Sequence, residues 1–229
     1  MSYFAIIADA GCDLSEEFQQ QYDIRIVNGH LIFPGGVEML SFLKWEKISR
    51  EQFYKDLKNN PTAYSTSPAN VEEFAAAFEA EAAQGHDILA MALSSGISGT
   101  YNFMCSARKI VLEKYPDVNI RCIDTLRYGP GFGLLTIHAS MQRSAGKTLD
   151  ETAEYIEANR SRFHQAGYMD DLAFVAKKGR LTHAKAFFGM LAGIKAIGEC
   201  DSNGLTTVLT KVKGTKLELD VFIDYMANT

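Results

Sequence analysis

No run of eighteen consecutive apolar residues occurs in this 229-residue chain, and that is about the length a helix needs to cross a bilayer. The longest candidate, Phe187 to Ile197, is interrupted by Lys195. A basic leader is also missing. Tyr3 to Ala8 is apolar but short and runs directly into Asp9, the pattern of a buried first strand and not of a secretion signal. The sequence therefore predicts a cytoplasmic protein without an integral membrane segment. Four cysteines, Cys12, Cys105, Cys122 and Cys200, include no C-x-x-C pair, so they read as reduced, mostly buried thiols and not as a metal or redox centre. No G-x-x-x-x-G-K-[ST] loop exists, and Gly131-Phe132-Gly133 follows a loop and lacks a third glycine. Neither ATP nor a dinucleotide is expected, and no cofactor or metal.

What is present suffices for a large core, since 47% of the residues are apolar. The net charge of -5 hides an asymmetry: between Val175 and Lys216 eight basic residues face only Glu199 and Asp201. A cationic segment on an acidic chain suits an anionic headgroup or an acidic partner surface. Nucleic acid is disfavoured, because this segment lacks interleaved aromatic residues for stacking.

The first half alternates apolar runs with helical patterns, which predicts an α/β fold with a mostly parallel sheet flanked by helices. Strands are expected at Phe4 to Ala8, Ile24 to Phe33 with an interruption near Gly29, Ile88 to Leu93 and Val118 to Ile123. Ser49 followed by Gln52, Asn70 by Glu73, and Thr148 by Glu151 are capping-box spacings that open helices. A further helix follows Thr100, with Phe103, Ala107, Ile110 and Val111 at helical spacing and Pro116 at its close. A boundary after the Thr148 helix divides the chain into residues 1–165 and a smaller α/β domain, 166–229. The latter reads as a strand Leu172 to Ala176, a helix Thr182 to Leu191, a hairpin turning at Asp201-Ser202-Asn203-Gly204, and a last helix from about Lys216 to Met226.

Three segments carry possible chemistry. Ser94-Ser95-Gly96-Ile97-Ser98-Gly99-Thr100-Tyr101 joins a strand to a helix, where ligands of parallel sheets bind and a helix N-terminus favours an anion. Its glycines permit close approach, and its hydroxyls can donate to a carboxylate. Tyr64-Ser65-Thr66-Ser67-Pro68 precedes another helix; a right-handed crossover turns both hydroxyl clusters toward one crevice, although such residues also serve as plain caps. Lys177-Lys178-Gly179-Arg180 supplies a guanidinium able to grip a carboxylate or phosphate with two hydrogen bonds. Asp9, Asp13 and Asp124 fall at strand ends and suit either a metal or loop capping. Gly96-Ile97-Ser98-Gly99-Thr100 approaches the G-x-S-x-G elbow of serine hydrolases, but Thr100 replaces the last glycine and His30, His86, His138, His164 and His183 stand in no triad order.

Taken in order, Asp9 with Cys12-Asp13-Leu14, Thr66-Ser67-Pro68 with Phe74, Ser94 to Tyr101, Asp124-Thr125, Lys178-Gly179-Arg180 and Lys211-Val212-Lys213 resemble the DegV family over nearly the whole chain. The resemblance implies a two-domain α/β protein that encloses a long-chain fatty acid, has no catalysis of its own, and presents the carboxylate to a separate fatty acid kinase subunit. Thr66 and Ser95 would then bond the carboxylate, with Ser67, Ser94, Gly96, Ser98 and Arg180 around it. Arg180, Lys211 and Lys213 would form a positive docking surface for the kinase. Phe132, Leu134, Leu135, Phe187, Phe188, Met190, Leu191 and Ile194 are candidates to line the tunnel. The sequence departs from the family at Ala8-Asp9-Ala10, usually Thr-Asp-Ser, at Phe42-Leu43-Lys44-Trp45, and at the single glycine before Arg180. The family pattern also continues past Thr229 with a strand-helix unit bearing a carboxylate-binding histidine, which implies an incomplete second domain here. A regulatory docking protein without lipid is the remaining alternative.

Overall fold

The computed structural model describes residues 3–41, 44–181, 195–212 and 215–228. A four-stranded sheet of β1 (Phe4–Asp9), β2 (Ile24–Val27), β6 (Asp87–Ala92) and β7 (Ile120–Asp124) lies at its centre, in the order β2-β1-β6-β7 with every pair parallel. β1 and β6 are buried almost throughout, as a strand covered on both faces requires. On one face α3 (Val71–Ala82) and α4 (Thr100–Lys114) bring Phe74, Phe78, Met104, Ala107 and Val111 against Ile7, Ile88 and Ile120. On the other, α5 (Gly129–Ser144) and α6 (Leu149–Asn159) pack Phe132, Leu135, Leu149 and Ile156 against Phe4, Ile6 and Leu89. The fold is thus mixed α/β, with helices covering a parallel sheet.

The expected caps are in place. Ser49 accepts from the amide of Gln52 ahead of α2 (Arg50–Asn59), and complete capping boxes open α3 at Asn70 and α6 at Thr148. The buried stripe of α4 is Thr100, Met104, Ala107 and Val111, while Phe103 and Ile110 are exposed. The apolar stripe proposed from sequence was therefore turned by one residue. Helix α5 was not expected at all. Its Gly129-Pro130-Gly131 start resembles a loop, yet proline is at home in a first helical turn, where no backbone donor is needed.

Beside the main sheet stands a small antiparallel one, β4-β3-β5, made of β3 (His30–Ile32), β4 (Glu38–Leu40) and β5 (Ser65–Ser67). The apolar run Ile24 to Phe33 is accordingly two strands in two sheets, broken at Gly29, where a Cβ would lie 2.7 Å from the Ser67 carbonyl oxygen. A third sheet, β10-β9-β8, comprises β8 (Ala166–Met169), β9 (Lys195–Cys200) and β10 (Thr206–Val212), with the expected Asp201 to Gly204 turn between the last two. The strand expected at Leu172 to Ala176 is instead α7 (Leu172–Lys177), capped by the Asp171 side chain on the amide of Phe174. A short apolar run carries no period that separates the two states. Helix α8 (Thr215–Asn228) closes the described chain, after α1 (Glu16–Gln21) near its start. The helix expected at 182–191, the tunnel candidates Phe187, Phe188, Met190, Leu191 and Ile194, and Lys213 lie outside the described residues.

Candidate functional site

From β1 the chain moves to β2 on one side, and β6 then joins β1 on the other. The C-terminal ends of β1 and β6 therefore form a topological switch point, where connections diverge and leave a crevice. A cavity of about 320 Å³ opens there, lined by Asp9 and Gly11 after β1, by Leu93, Ile97, Ser98 and Thr100 after β6, by His30, Thr66, Ser67 and Pro68 from the small sheet, and by Arg180. Register explains part of this convergence. His30 pairs with Ser67 and Leu31 with Thr66 across β3 and β5, and directly opposed residues share a face.

Asp9 is the most constrained polar group in this wall. Its two carboxylate oxygens accept from the amides of Gly11 and Leu93, each at 2.7 Å. Burial, opposed by these bonds, raises its pKa to about 6. Ser98 and Thr100 share a hydroxyl-hydroxyl hydrogen bond of 2.7 Å, and at the start of α4, where the cap residue Gly99 offers no side chain, the Ser98 hydroxyl accepts from the Thr100 amide at 3.3 Å. Ser67 donates to Glu38 at 2.9 Å. His30 stands between Glu73, at 2.9 Å, and Glu38, at 3.6 Å. Among the described hydrogen bonds the partner of Ser98 is Thr100 and those of His30 are glutamates, so no serine-histidine pair of hydrolase type is formed.

A second cavity, of about 380 Å³, adjoins the first and is mostly apolar: Leu31, Phe53, Leu57, Tyr64, Phe174 and Val175, with Lys178 at its border. Thr66 and Arg180 line both cavities. At the border of the second cavity Lys178 donates to the Tyr64 carbonyl at 2.7 Å, and the exposed Arg180 donates from its guanidinium to the Lys178 carbonyl at 2.6 Å.

Thr66, Ser67, Ser98 and Arg180, singled out from sequence, thus surround one cavity, whereas Ser94, Ser95 and Gly96 are not in its lining. Ser94 is fully buried and donates to the carbonyl of Gly204. Ser95 is exposed, with its amide on the Asp124 carboxylate, and Gly96 abuts the Asn203 to Leu205 turn. Lys211 sits on β10 opposite Ala196. His30 and Ser41 in the lining were given no role from sequence; neither lies in a recognisable motif, and strand pairing alone delivers His30. Of the residues expected to line the tunnel, Phe132 and Leu135 are fully buried in the core cluster that α5 shares with the main sheet and line neither of these two cavities, while Leu134 borders a separate cavity of about 720 Å³ with Tyr128, Tyr168 and Phe222. Asp9 and Asp124 bind backbone amides and Asp13 caps a short turn; among the described residues no group of three or more metal-ligating side chains gathers. None of the described helices is long and apolar enough to cross a membrane.

The family model described as "uncharacterised protein, DegV family" matches residues 3–229. The chain belongs to the DegV family. A DegV domain-containing protein of Streptococcus pyogenes serotype M1 is 34% identical over 211 residues, covering 92% of this chain and 73% of the relative. One from Clostridium perfringens is 32% identical over 219 residues, covering 96% and 74%. Among solved structures, a stearic acid-binding protein from Eubacterium ventriosum superposes with a TM-score of 0.83 at 23% identity, covering 98% of this chain and 77% of that one. DegV from Bacillus subtilis, described as a fatty acid binding protein, gives 0.81 at 22% identity, covering 99% and 77%. These likenesses extend the DegV fold over the whole chain.

Proposed function

We propose that this DegV protein binds a long-chain fatty acid, with its carboxylate in the switch-point cavity and its hydrocarbon chain in the apolar cavity alongside. The observation that carries this reading is the shared border: Thr66 and Arg180 line both spaces. A ligand that is polar at one end and apolar along its length fits such a pair of compartments. Each methylene removed from water contributes about 0.8 kcal/mol, and the buried carboxylate must keep hydrogen bonds to avoid offsetting that gain. Thr66, Ser67 and Ser98 supply hydroxyls and Arg180 a charge, with Ser95 as the further donor that the family resemblance implies. The solved relatives described as fatty acid binding proteins agree in ligand class.

The carboxylate end lies beside the exposed Arg180, and Lys211 adds a second cation on β10. On this basis the protein presents the acid, in the cytoplasm, to a separate fatty acid kinase that docks on the basic segment between Val175 and Lys216. Organic extraction of the purified protein followed by mass spectrometry tests the first step. A stoichiometric fatty acid is expected; an extract without one, together with no uptake of added stearate, refutes the reading. Charge reversal at Arg180 and Lys211 tests the second, and kinase binding undiminished by both removes it.

A further inference from the structure

The α3 and α4 face of the main sheet carries a second cluster of reactive groups that fatty acid binding does not use. Cys122 lies on the edge strand β7, between Arg121 and Ile123 on the opposite face, and packs under α4. Its sulfur reaches the carbonyl oxygen of Met104 at 3.9 Å, the peptide that leads into Cys105. Cys105 follows that peptide on α4 with its side chain half-exposed, so the Cys122 sulfur lies against the backbone that carries Cys105, and Cys122 and Tyr101 are the groups that act most strongly on its thiol. Arg108 and Lys109, exposed one turn further along, add positive charge.

We propose that Cys105 and Cys122 form a thiol oxidation site, in which a hydroperoxide oxidises Cys105 and Cys122 resolves the product to a disulfide. The Cys105 sulfur attacks one peroxide oxygen, the O–O bond breaks, and the released hydroxide or alkoxide takes up a proton. Sulfur loses two electrons and the peroxide gains them, leaving a sulfenic acid. The Cys122 sulfur then attacks the Cys105 sulfur; an S–S bond forms, the S–O bond breaks, and oxygen departs as water with the Cys122 proton.

The environment separates Cys105 from the other cysteines. Cys122 and Tyr101, with Arg108 and Lys109 nearby, lower its pKa to about 6, whereas burial raises Cys12 to about 12 and also raises Cys200. A thiolate is the nucleophile in such chemistry, and a partly exposed thiol beside cations is where it forms. Cys122, with its own pKa raised, keeps the proton that the departing oxygen needs.

The reduced full chain is treated with hydrogen peroxide and followed by intact mass and peptide mapping. Wild type is expected to lose two hydrogens and to yield a Cys105–Cys122 crosslinked peptide. Cys122→Ser, with Cys122→Ala as a second variant should the serine fail to fold by circular dichroism, is expected to hold a sulfenic acid that dimedone traps on Cys105. Cys105→Ser is expected to give neither product. Iodoacetamide at neutral pH is expected to alkylate Cys105 at least about tenfold faster than Cys12 or Cys200. Equal labelling of these thiols overturns the site, and a sulfenic acid that persists in wild type without a crosslink overturns the role of Cys122.

Discussion

Ser94, at the end of β6, donates its hydroxyl to the carbonyl oxygen of Gly204 at 2.7 Å, across 110 residues of sequence. Both residues are buried, and the contact seats the β9–β10 hairpin on the main sheet. Gly204 has a φ of +75°, and a Cβ there would overlap the Ser94 side chain and lie 3.0 Å from the Cα of Leu126. Arg127 reinforces the seat by donating to the carbonyls of Phe163 and Asp201. Ser94→Ala leaves a buried acceptor unpaired and is expected to lower stability by about 1–3 kcal/mol. Gly204→Ala adds the cost of a left-handed non-glycine residue to a clash, so a loss on the order of 2 kcal/mol is expected. Urea unfolding of the two variants measures both, and wild-type midpoints would show that the hairpin is not seated this way.

The hydroxyls of the proposed headgroup site separate by position. Thr66 and Ser98 line the cavity, and Ser95 does not. Thr66→Val and Ser98→Ala each remove one hydrogen bond to a carboxylate, so each is expected to weaken stearate binding roughly tenfold. Calorimetry on the three single variants decides whether Ser95→Ala follows them. If it does, Ser95 turns into the site when ligand is present; if it alone matches wild type, the cavity lining is the complete set.

The parallel sheet was legible because strands buried on both faces leave apolar runs with no polar interruption, as in Phe4 to Ala8 and Ile88 to Leu93. Helix starts were legible because Asn70 with Glu73 and Thr148 with Glu151 are local chemistry. The small sheet was not. Its three-residue strands are too short to show a period, and His30 meets Ser67 only through a pairing between distant segments. The headgroup cluster was half legible for the same reason: Ser98 and Thr66 stand in hydroxyl-rich loops at element ends, while the apolar wall of Leu31, Phe53 and Val175 comes from three elements that no motif links.

Asp9 sets a pH dependence. Its folded pKa of about 6 lies above the ordinary value of 3.8, so the folded state holds the proton more firmly than the unfolded chain. That stabilisation is complete below pH 3.8 and is lost as pH rises through about 6, a difference on the order of 3 kcal/mol. A bound carboxylate beside Asp9 would raise its pKa further, because like charges oppose a second ionisation. Fatty acid binding near pH 6 to 7 is therefore expected to take up a proton, and affinity to fall as pH rises through this range. Calorimetry in buffers of differing ionisation enthalpy reads the proton count directly. Asp9→Asn should abolish the uptake, and uptake that survives in this variant would assign the proton to another group.

The apolar compartment can be tested apart from the headgroup. Val175, on α7, lines the second cavity and is absent from the lining of the first. A Val175→Trp side chain would occupy part of the space assigned to hydrocarbon and leave Thr66, Ser98 and Asp9 untouched. Each methylene that it excludes is expected to remove about 0.8 kcal/mol, so the loss should grow with ligand length: slight for octanoate, several orders of magnitude for stearate. A headgroup defect would instead weaken all chain lengths by the same factor. Competition binding across a series of saturated acids distinguishes the two slopes, and parallel lines for wild type and variant would place the hydrocarbon elsewhere, with the 720 Å³ cavity beside Leu134 as the next candidate.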